Sequence, residues 1–384
     1  MRHSIDRILT THCGSLARPK DLLDLMKARL AGEPSDEDVY ARRVRSAVAE
    51  SVKRQVECGI DVPTDGEQSK PGFYAYVRER LSGFEPTPGP AAPGWVEEVA
   101  AFPEYYEQYF SHAMLGGSIT GGVRLRCTGP VSYCGQAAVR RDIENLKAAL
   151  AGFAPADVFM PAVAPSGVGT NEYYQTDEEY LYAVAEAMRT EYQAIVRAGF
   201  IVQIDDPFLT DLYSGSGLGA ADQRTRAERY VEAVNHALRG IPPDRVRFHT
   251  CYGINEGPRI HDAPLAAILD VMLKVNAGAY SFEAANPRHE HEYHIWETVR
   301  LPGGKLIIPG VITHASNIVE HPELIAERIV RYARRVGREN VIAGADCGFS
   351  SQATYSPEVH PTVVWAKFRA LADGARLATK QLWD

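Results

Sequence analysis

The residues of this 384-residue chain best suited to chemistry are a histidine and a cysteine two apart, His249-Thr250-Cys251, and a distant cysteine, Cys347. Zinc favours soft thiolates and imidazoles in tetrahedral array, and catalytic sites use three or so protein ligands while leaving one position for substrate. His249, Cys251 and Cys347 meet that count. Residues two apart at an extended strand end point the same way, so His249 and Cys251 can face one cavity. Taken alone, one H-x-C pair is more often a buried cysteine beside a structural histidine. Glu283 is a candidate fourth ligand, because a carboxylate is harder and more easily displaced than a thiolate; its alternative is a salt bridge at the mouth of the site. The run HEHEYH, with His289, His291 and His294, is a rival metal site by histidine density. It carries no cysteine, so it reads as a solvated helix start.

What favours a metal site is the placement of these residues on the elements that carry them. Short apolar or β-branched runs alternate with amphipathic stretches along nearly the whole chain, the mark of a parallel sheet with crossover helices. Eight such runs are present, at 8–11, 60–63, 158–162, 200–204, 246–249, 279–282, 306–309 and 341–345. Helices are expected at 178–198, 224–239, 264–276 and 322–336. Eight units predict an α/β fold, a closed (β/α)8 TIM barrel. The runner-up, an open doubly wound sheet, lacks the G-x-G-x-x-G fingerprint after its first strand. In a barrel the chemistry sits just past the strand ends. There the sequence has His12-Cys13-Gly14-Ser15, Asp65-Gly66-Glu67, Asp205-Asp206-Pro207, His249-Thr250-Cys251, Glu283, His314 and Asp346-Cys347-Gly348. Thiol, imidazole and carboxylate groups would therefore converge on one face.

The whole chain, 1–384, reads as one zinc-dependent barrel domain. Residues 71–122 break the rhythm as an insertion after the second strand, with Pro and Gly clustered in EPTPGPAAPGW and aromatics in FPEYYEQYF. The aromatics imply that this excursion packs on something, a lid or a partner subunit of a homo-oligomer, rather than forming a disordered linker.

A net charge of -8 with no dense Lys/Arg run argues against nucleic acid and anionic membranes and for small-molecule partners. The first residues lack the apolar core of a secretory signal, and no stretch approaches the roughly 18 apolar residues needed to cross a bilayer. A cytoplasmic location is therefore expected. Six cysteines are too sparse for a disulfide scaffold, and in a reducing compartment they read first as metal-binding or catalytic.

The motifs FHTCYG, SFEAANPR, PGVITH and GADCGF, with TTHCGS, TDGE and QIDDP, resemble the catalytic barrel of cobalamin-independent methionine synthase, in the right order along essentially the whole chain. The resemblance implies a zinc-dependent S-methyltransferase of methionine biosynthesis, in which Zn2+ binds homocysteine as thiolate for attack on a methyl donor. It implies His249, Cys251, Glu283 and Cys347 as zinc ligands. Ser15, Glu67 and Asp205 would hold the backbone and amino group of homocysteine. His314 lies one residue from the family's proton-donating histidine. Arg126-Cys127 resembles an Arg-Cys pair near the folate site, which makes Arg126 a substrate-binding candidate. The chemistry fits independently: a thiol of pKa near 8.5 is mostly protonated at neutral pH until a metal takes the proton's place. Two carboxylates in one cavity suit an ammonium group, although each could instead make a structural hydrogen bond.

Two departures bear on the donor. Full-length family members carry a second, N-terminal barrel that helps bind the folate, and this chain has one barrel. Where the family has a tryptophan for the pterin, APSGVGTNEYY offers Tyr173 or Tyr174. The donor is thus left open among methyl-folate, a methylcorrinoid and an epoxide. The last would make the chain similar to epoxyalkane:coenzyme M transferase, whose sulfonated thiol needs a cation such as Arg126 or Arg288. A zinc-binding or thiol-sensing protein without turnover is the reading from another class.

Overall fold

The computed structural model describes residues 1–34, 36–87, 95–112, 117–120, 124–214, 216–253 and 256–384. Its strands are β1 (Leu9–Thr10), β2 (Leu81–Pro86), β3 (Leu125–Tyr133), β4 (Phe159–Val163), β5 (Thr170–Asn171), β6 (Ile201–Asp205), β7 (Val246–His249), β8 (Ala279–Phe282), β9 (Leu306–Ile312) and β10 (Ile342–Ala345). Seven of them form one parallel sheet in the order β1-β10-β9-β8-β7-β6-β4. Residues 60–63 supply the eighth stave. Thr11 bridges Val62 in parallel, Val62 N donates to Thr10 O at 3.0 Å, and Phe159 N donates to Pro63 O at 3.2 Å. The sheet is thereby closed into the (β/α)8 barrel, and all eight apolar runs are its staves.

These runs become strands because helices cover their outer face while side chains fill the inside, so nearly every position must be apolar. All seven residues of β9, LIIPGVI, are buried. The helix Pro322–Val336 shows the covering layer. Its buried Ile325, Ala326, Ile329, Val330 and Ala333 recur at three- and four-residue spacing and face the wall. Proline at its first position and the His321 side chain accepting Glu323 N start it, and Gly337 at φ 92° stops it. Truncating the fully buried Ile329 to alanine would cost about 2–5 kcal/mol. The helices Asp177–Arg197, Ala220–Ala237 and Leu265–Met272 also lie within a few residues of their expected spans.

The barrel interior is polar below the site. On β7 the inward positions are Arg247 and His249. Arg247 donates to Thr11 Oγ1 at 3.0 Å and His12 O at 2.8 Å, and its guanidinium lies 3.9 Å from the centre of the Phe159 ring. Burial lowers its pKa to about 10, so it remains a cation under the site.

Parts of the 71–122 excursion, namely 88–94, 113–116 and 121–122, lie outside the described residues, and with them most of the Pro-rich text. In the rest, β2 pairs antiparallel with β3 in a second sheet, and the helices Val96–Ala101 and Pro103–His112 gather Trp95, Val99, Phe102, Tyr106, Tyr109 and Phe110. This cluster sits on the barrel loops: Trp95 Nε1 donates to Tyr252 O, His261 N donates to Glu98 Oε2, and Tyr109 Oη donates to Glu358 Oε1.

The HEHEYH run departs from the sequence reading. His291 and His294 are exposed, but His289 is buried; its ring nitrogens meet Asp262 and Glu292, and it stacks on Tyr252 at 4.0 Å. Glu292, three residues on, and Asp262, from a distant loop, hold it inside; the second contact is a tertiary effect that a local pattern does not carry.

Candidate metal centre

The ends of β7 and β10 bring His249, Cys251 and Cys347 together. One ligand atom from each lies within 4.8 Å of the other two, and all three residues are buried. Zinc–sulfur bonds of about 2.3 Å can bridge such a gap. His249 Nδ1 meets Ser281 Oγ at 3.1 Å, while Nε2 is buried without a partner. If the serine hydroxyl accepts a proton from Nδ1, the Nε2 lone pair is left free for a metal. Burial, with repulsion from Arg247 and His314, pushes His249 down to about 3, so the ring is neutral. The Cys347 thiol and burial together hold the Cys251 pKa well above its usual value. One imidazole and two thiols, with an orphaned nitrogen among them, suit a zinc ion.

Around these three, a small cavity of about 30 Å³ is lined by Cys13, Ser15, Glu67, Phe73, Asp205, Pro207, Gly348 and Ser351 as well. Glu67 is 1% exposed, has φ of 55°, and leaves Oε2 with no partner. A non-glycine residue in the left-handed region persists only where its surroundings hold it. Gly14, at φ 126°, makes room for it, since a Cβ there would meet Pro161 Cγ at 2.6 Å and Glu67 Oε1 at 3.0 Å. Asp205 accepts Gln203 Nε2 at 2.6 Å. Burial raises both carboxyls, and for Asp205 the neighbouring Glu67 adds to the effect. Like charges facing one cavity favour keeping a proton or recruiting a cation.

A second cavity, lined by Gln352, Thr354, Pro357 and Glu358, shares Phe73, Pro207, Cys251, Cys347 and Ser351 with the first. These shared residues make the two cavities neighbours, the second being the outer cavity of the proposal below.

Glu283 stands outside the three-ligand group. Its side chain is fully buried; Oε1 accepts Tyr252 N at 3.0 Å, and Oε2 accepts Asn286 Nδ2 at 2.8 Å and meets Arg259 Nη2 at 2.8 Å. It also forms a second close group with His314 and Asp346. Asp346 accepts the backbone N–H groups of Ala284, Ala285 and Asn286 at 2.7, 2.7 and 2.9 Å, tying the loop after β8 to the loop bearing Cys347. Gly310 lets it in, because a Cβ there would collide with the carboxylate. Both acids are thus spent on hydrogen bonds. His314 is buried, pushed down to about 4 by burial against the pull of Asp346, and its Nδ1 has no partner.

Arg126 is not brought to the cavity. It pairs with Glu85 and Glu172 on the second sheet, with its side chain 36% exposed. Arg288 is also exposed and Tyr173 is 51% exposed, while Tyr174 Oη accepts Val131 N. The aromatic at the site is Phe73 instead. Sequence reasoning missed two supports, Ser281, two residues before Glu283, and Arg259; Cys13, expected past the first strand, lies at the site, its thiol donating to Ala345 O at 3.0 Å and standing 3.8 Å from His249 Nδ1. Ser281 shares the strand parity of Glu283, which could have revealed it; Arg259 lies in a loop without a pattern.

Residues 165–364, just over half of the chain, match the family described as cobalamin-independent synthase, catalytic domain. Methionine synthase from Saccharolobus islandicus (strain L.S.2.15 / Lassen #1) is 26% identical over 386 residues, covering 97% of this chain and 95% of that protein. Methionine synthase from Sulfolobus acidocaldarius is 26% identical over 254 residues, 66% of this chain and 64% of that protein. Among solved structures, a B12-independent methionine synthase from Shewanella sp. W3-18-1, in complex with selenomethionine, superposes with a TM-score of 0.74 at 18% identity, covering 98% of this chain and 99% of that one. A putative vitamin-B12 independent methionine synthase from Listeria monocytogenes gives 0.67 at 21% identity, with coverages of 96% and 98%. These two share the barrel, and the match over residues 165–364 carries the assignment: the chain belongs to the cobalamin-independent synthase catalytic-domain family.

Proposed function

We propose that the chain is a zinc-dependent thiol alkyltransferase that moves a methyl group to the sulfur of homocysteine or a similar amino-thiol. The observation that carries this reading is one cavity holding both a His249–Cys251–Cys347 ligand group and the unpartnered Glu67 carboxylate. The curated relatives named methionine synthase support it.

His249, Cys251 and Cys347 would hold the zinc, with Glu283 as an exchangeable fourth ligand. When bound, the ion supplies the acidity that makes a thiol nucleophilic at neutral pH. The chain's residues do the rest. Ser281 fixes the His249 ring. Glu67 and Asp205 receive the ammonium group, whose charge replaces any proton the pair has kept, that proton passing to water, and Ser15 holds the backbone end. Phe73 and Pro207 keep water from the sulfur. His314, neutral, stands as proton carrier at the far side. The donor arrives through the outer cavity, beneath the excursion that reaches Glu358. Residues 71–122 belong with the barrel in one domain, supported by their bonds to Tyr252, His261 and Glu358. A reducing compartment, the cytoplasm, suits six free cysteines.

A sulfonated thiol fits less well, because the cavity is lined by Glu67 and Asp205 and, among the described residues, by no lysine or arginine. Calorimetric titration of the zinc-loaded protein tests the reading: homocysteine is expected to bind and 2-mercaptoethanesulfonate to bind far more weakly. Absence of homocysteine binding overturns it.

A further inference from the structure

Glu283 has a complete set of donors that owes nothing to a metal. Tyr252 N and Asn286 Nδ2 donate to its two oxygens, and the Arg259 guanidinium faces Oε2 at 2.8 Å as counter-charge, all buried. Arg259 is 2% exposed and has φ of 55°, a conformation that a side-chain-bearing residue keeps only when its surroundings impose it. Its Nε is held by Asp262 at 2.7 Å, its guanidinium lies 5.5 Å from the centre of the Tyr252 ring, and Nη1 and Nη2 are both buried without an aligned hydrogen bond, Nη2 facing Glu283 Oε2 as an ion pair at 2.8 Å. Tyr252 follows the ligand Cys251 directly, so the arginine and the ligand loop are built as one unit. A carboxylate permanently on a metal would leave this buried fork facing Asp262 alone.

Resting on the function proposed above, we propose that Arg259 is a positioning residue: it is the counter-charge that receives the Glu283 carboxylate when an incoming thiol takes the fourth position on the metal. The exchange breaks a metal–carboxylate bond and forms a metal–sulfur bond. The thiol proton leaves to solvent, and the freed carboxylate keeps its charge by pairing with the guanidinium. Without Arg259 the displaced carboxylate would be a buried, uncompensated anion, so displacement would be disfavoured.

The test loads the protein with Co2+, whose absorption bands report sulfur and oxygen ligands, and titrates homocysteine. Wild type is expected to change spectrum on thiol addition. Arg259→Gln should need about 10- to 100-fold more thiol, the range for losing one charged hydrogen-bond partner, and Arg259→Lys should recover part of the loss. In a Glu283→Gln background, where no carboxylate has to be displaced, the Arg259→Gln penalty should vanish. If Arg259→Gln does not fold, the Arg259→Lys shift and its loss in the Glu283→Gln background decide the matter. A midpoint within two-fold of wild type in the arginine variants, or a penalty that persists without Glu283, overturns the role of Arg259. A wild-type spectrum that ignores homocysteine overturns the thiol-transfer reading itself, and this proposal with it.

Discussion

Replacing Glu67 by glutamine keeps the shape of the side chain and removes its charge, which separates what that charge does for the fold from what it does for a ligand. The carboxylate is 1% exposed with Oε2 unpartnered, and burial raises its pKa against the pull of Lys70 and Arg18. A raised acid costs stability only while ionised. Below about pH 4 the group is protonated whether folded or not and the cost is absent; it grows as pH climbs from the ordinary toward the raised value. With Lys70 and Arg18 offsetting part of it, removal of the charge should stabilise the free protein by about 1 kcal/mol at neutral pH, a degree or more in Tm, and by nothing near pH 4. Binding should move the other way. A charged hydrogen bond to an ammonium is worth about 1.5–3 kcal/mol, so homocysteine affinity should fall roughly 10- to 150-fold. The control is 4-mercaptobutanoate, which lacks the amino group and should bind both proteins alike. Thermal melts across pH and paired calorimetric titrations read both effects. Equal losses for the two thiols, or a Tm that falls at neutral pH, would refute the reasoning.

Ser281→Ala should weaken zinc about 10- to 100-fold in chelator competition, because the His249 ring loses the hydroxyl that fixes it; unchanged affinity would mean that packing alone orients the ring. His289 gives a pH signature. Burial opposes its charge, but Asp262 and Glu292 outweigh this and raise it from 6.5 to about 9. Its contribution, at most about 3 kcal/mol, is complete below pH 6.5 and lost as pH rises through 9. Urea midpoints should therefore fall between pH 6.5 and 9.5 in wild type and stay flatter in His289→Gln.

The barrel was legible because a stave buried on both faces is largely apolar, and runs such as VFMPA and LIIP punctuate amphipathic helices at regular intervals. The rule that chemistry gathers past strand ends then singled out His249, Cys251, Cys347, Ser15, Glu67 and Asp205, all of which line one cavity. What stayed hidden depends on contacts between distant loops. Nothing local says that Arg259 will meet Glu283, or that His289 will be drawn inside by Asp262. Arg126 misled for the same reason: its strand joins the second sheet, and Glu85 and Glu172 take its charge.

The wall of this barrel is joined by the two extremes of the polypeptide. Leu9 pairs with Ile342, and Ile8 N rests on Thr379 Oγ1, 371 residues away. The first stave meets one neighbour early, at Val62, but its other edge stays open until Ile342 has been made, and closing so long a loop is slow. His249 and Cys251 wait through that interval for Cys347, so the three side chains that could grip an ion are together only once Cys347 has been made. Under the function proposed, an ion met earlier would find half a grip.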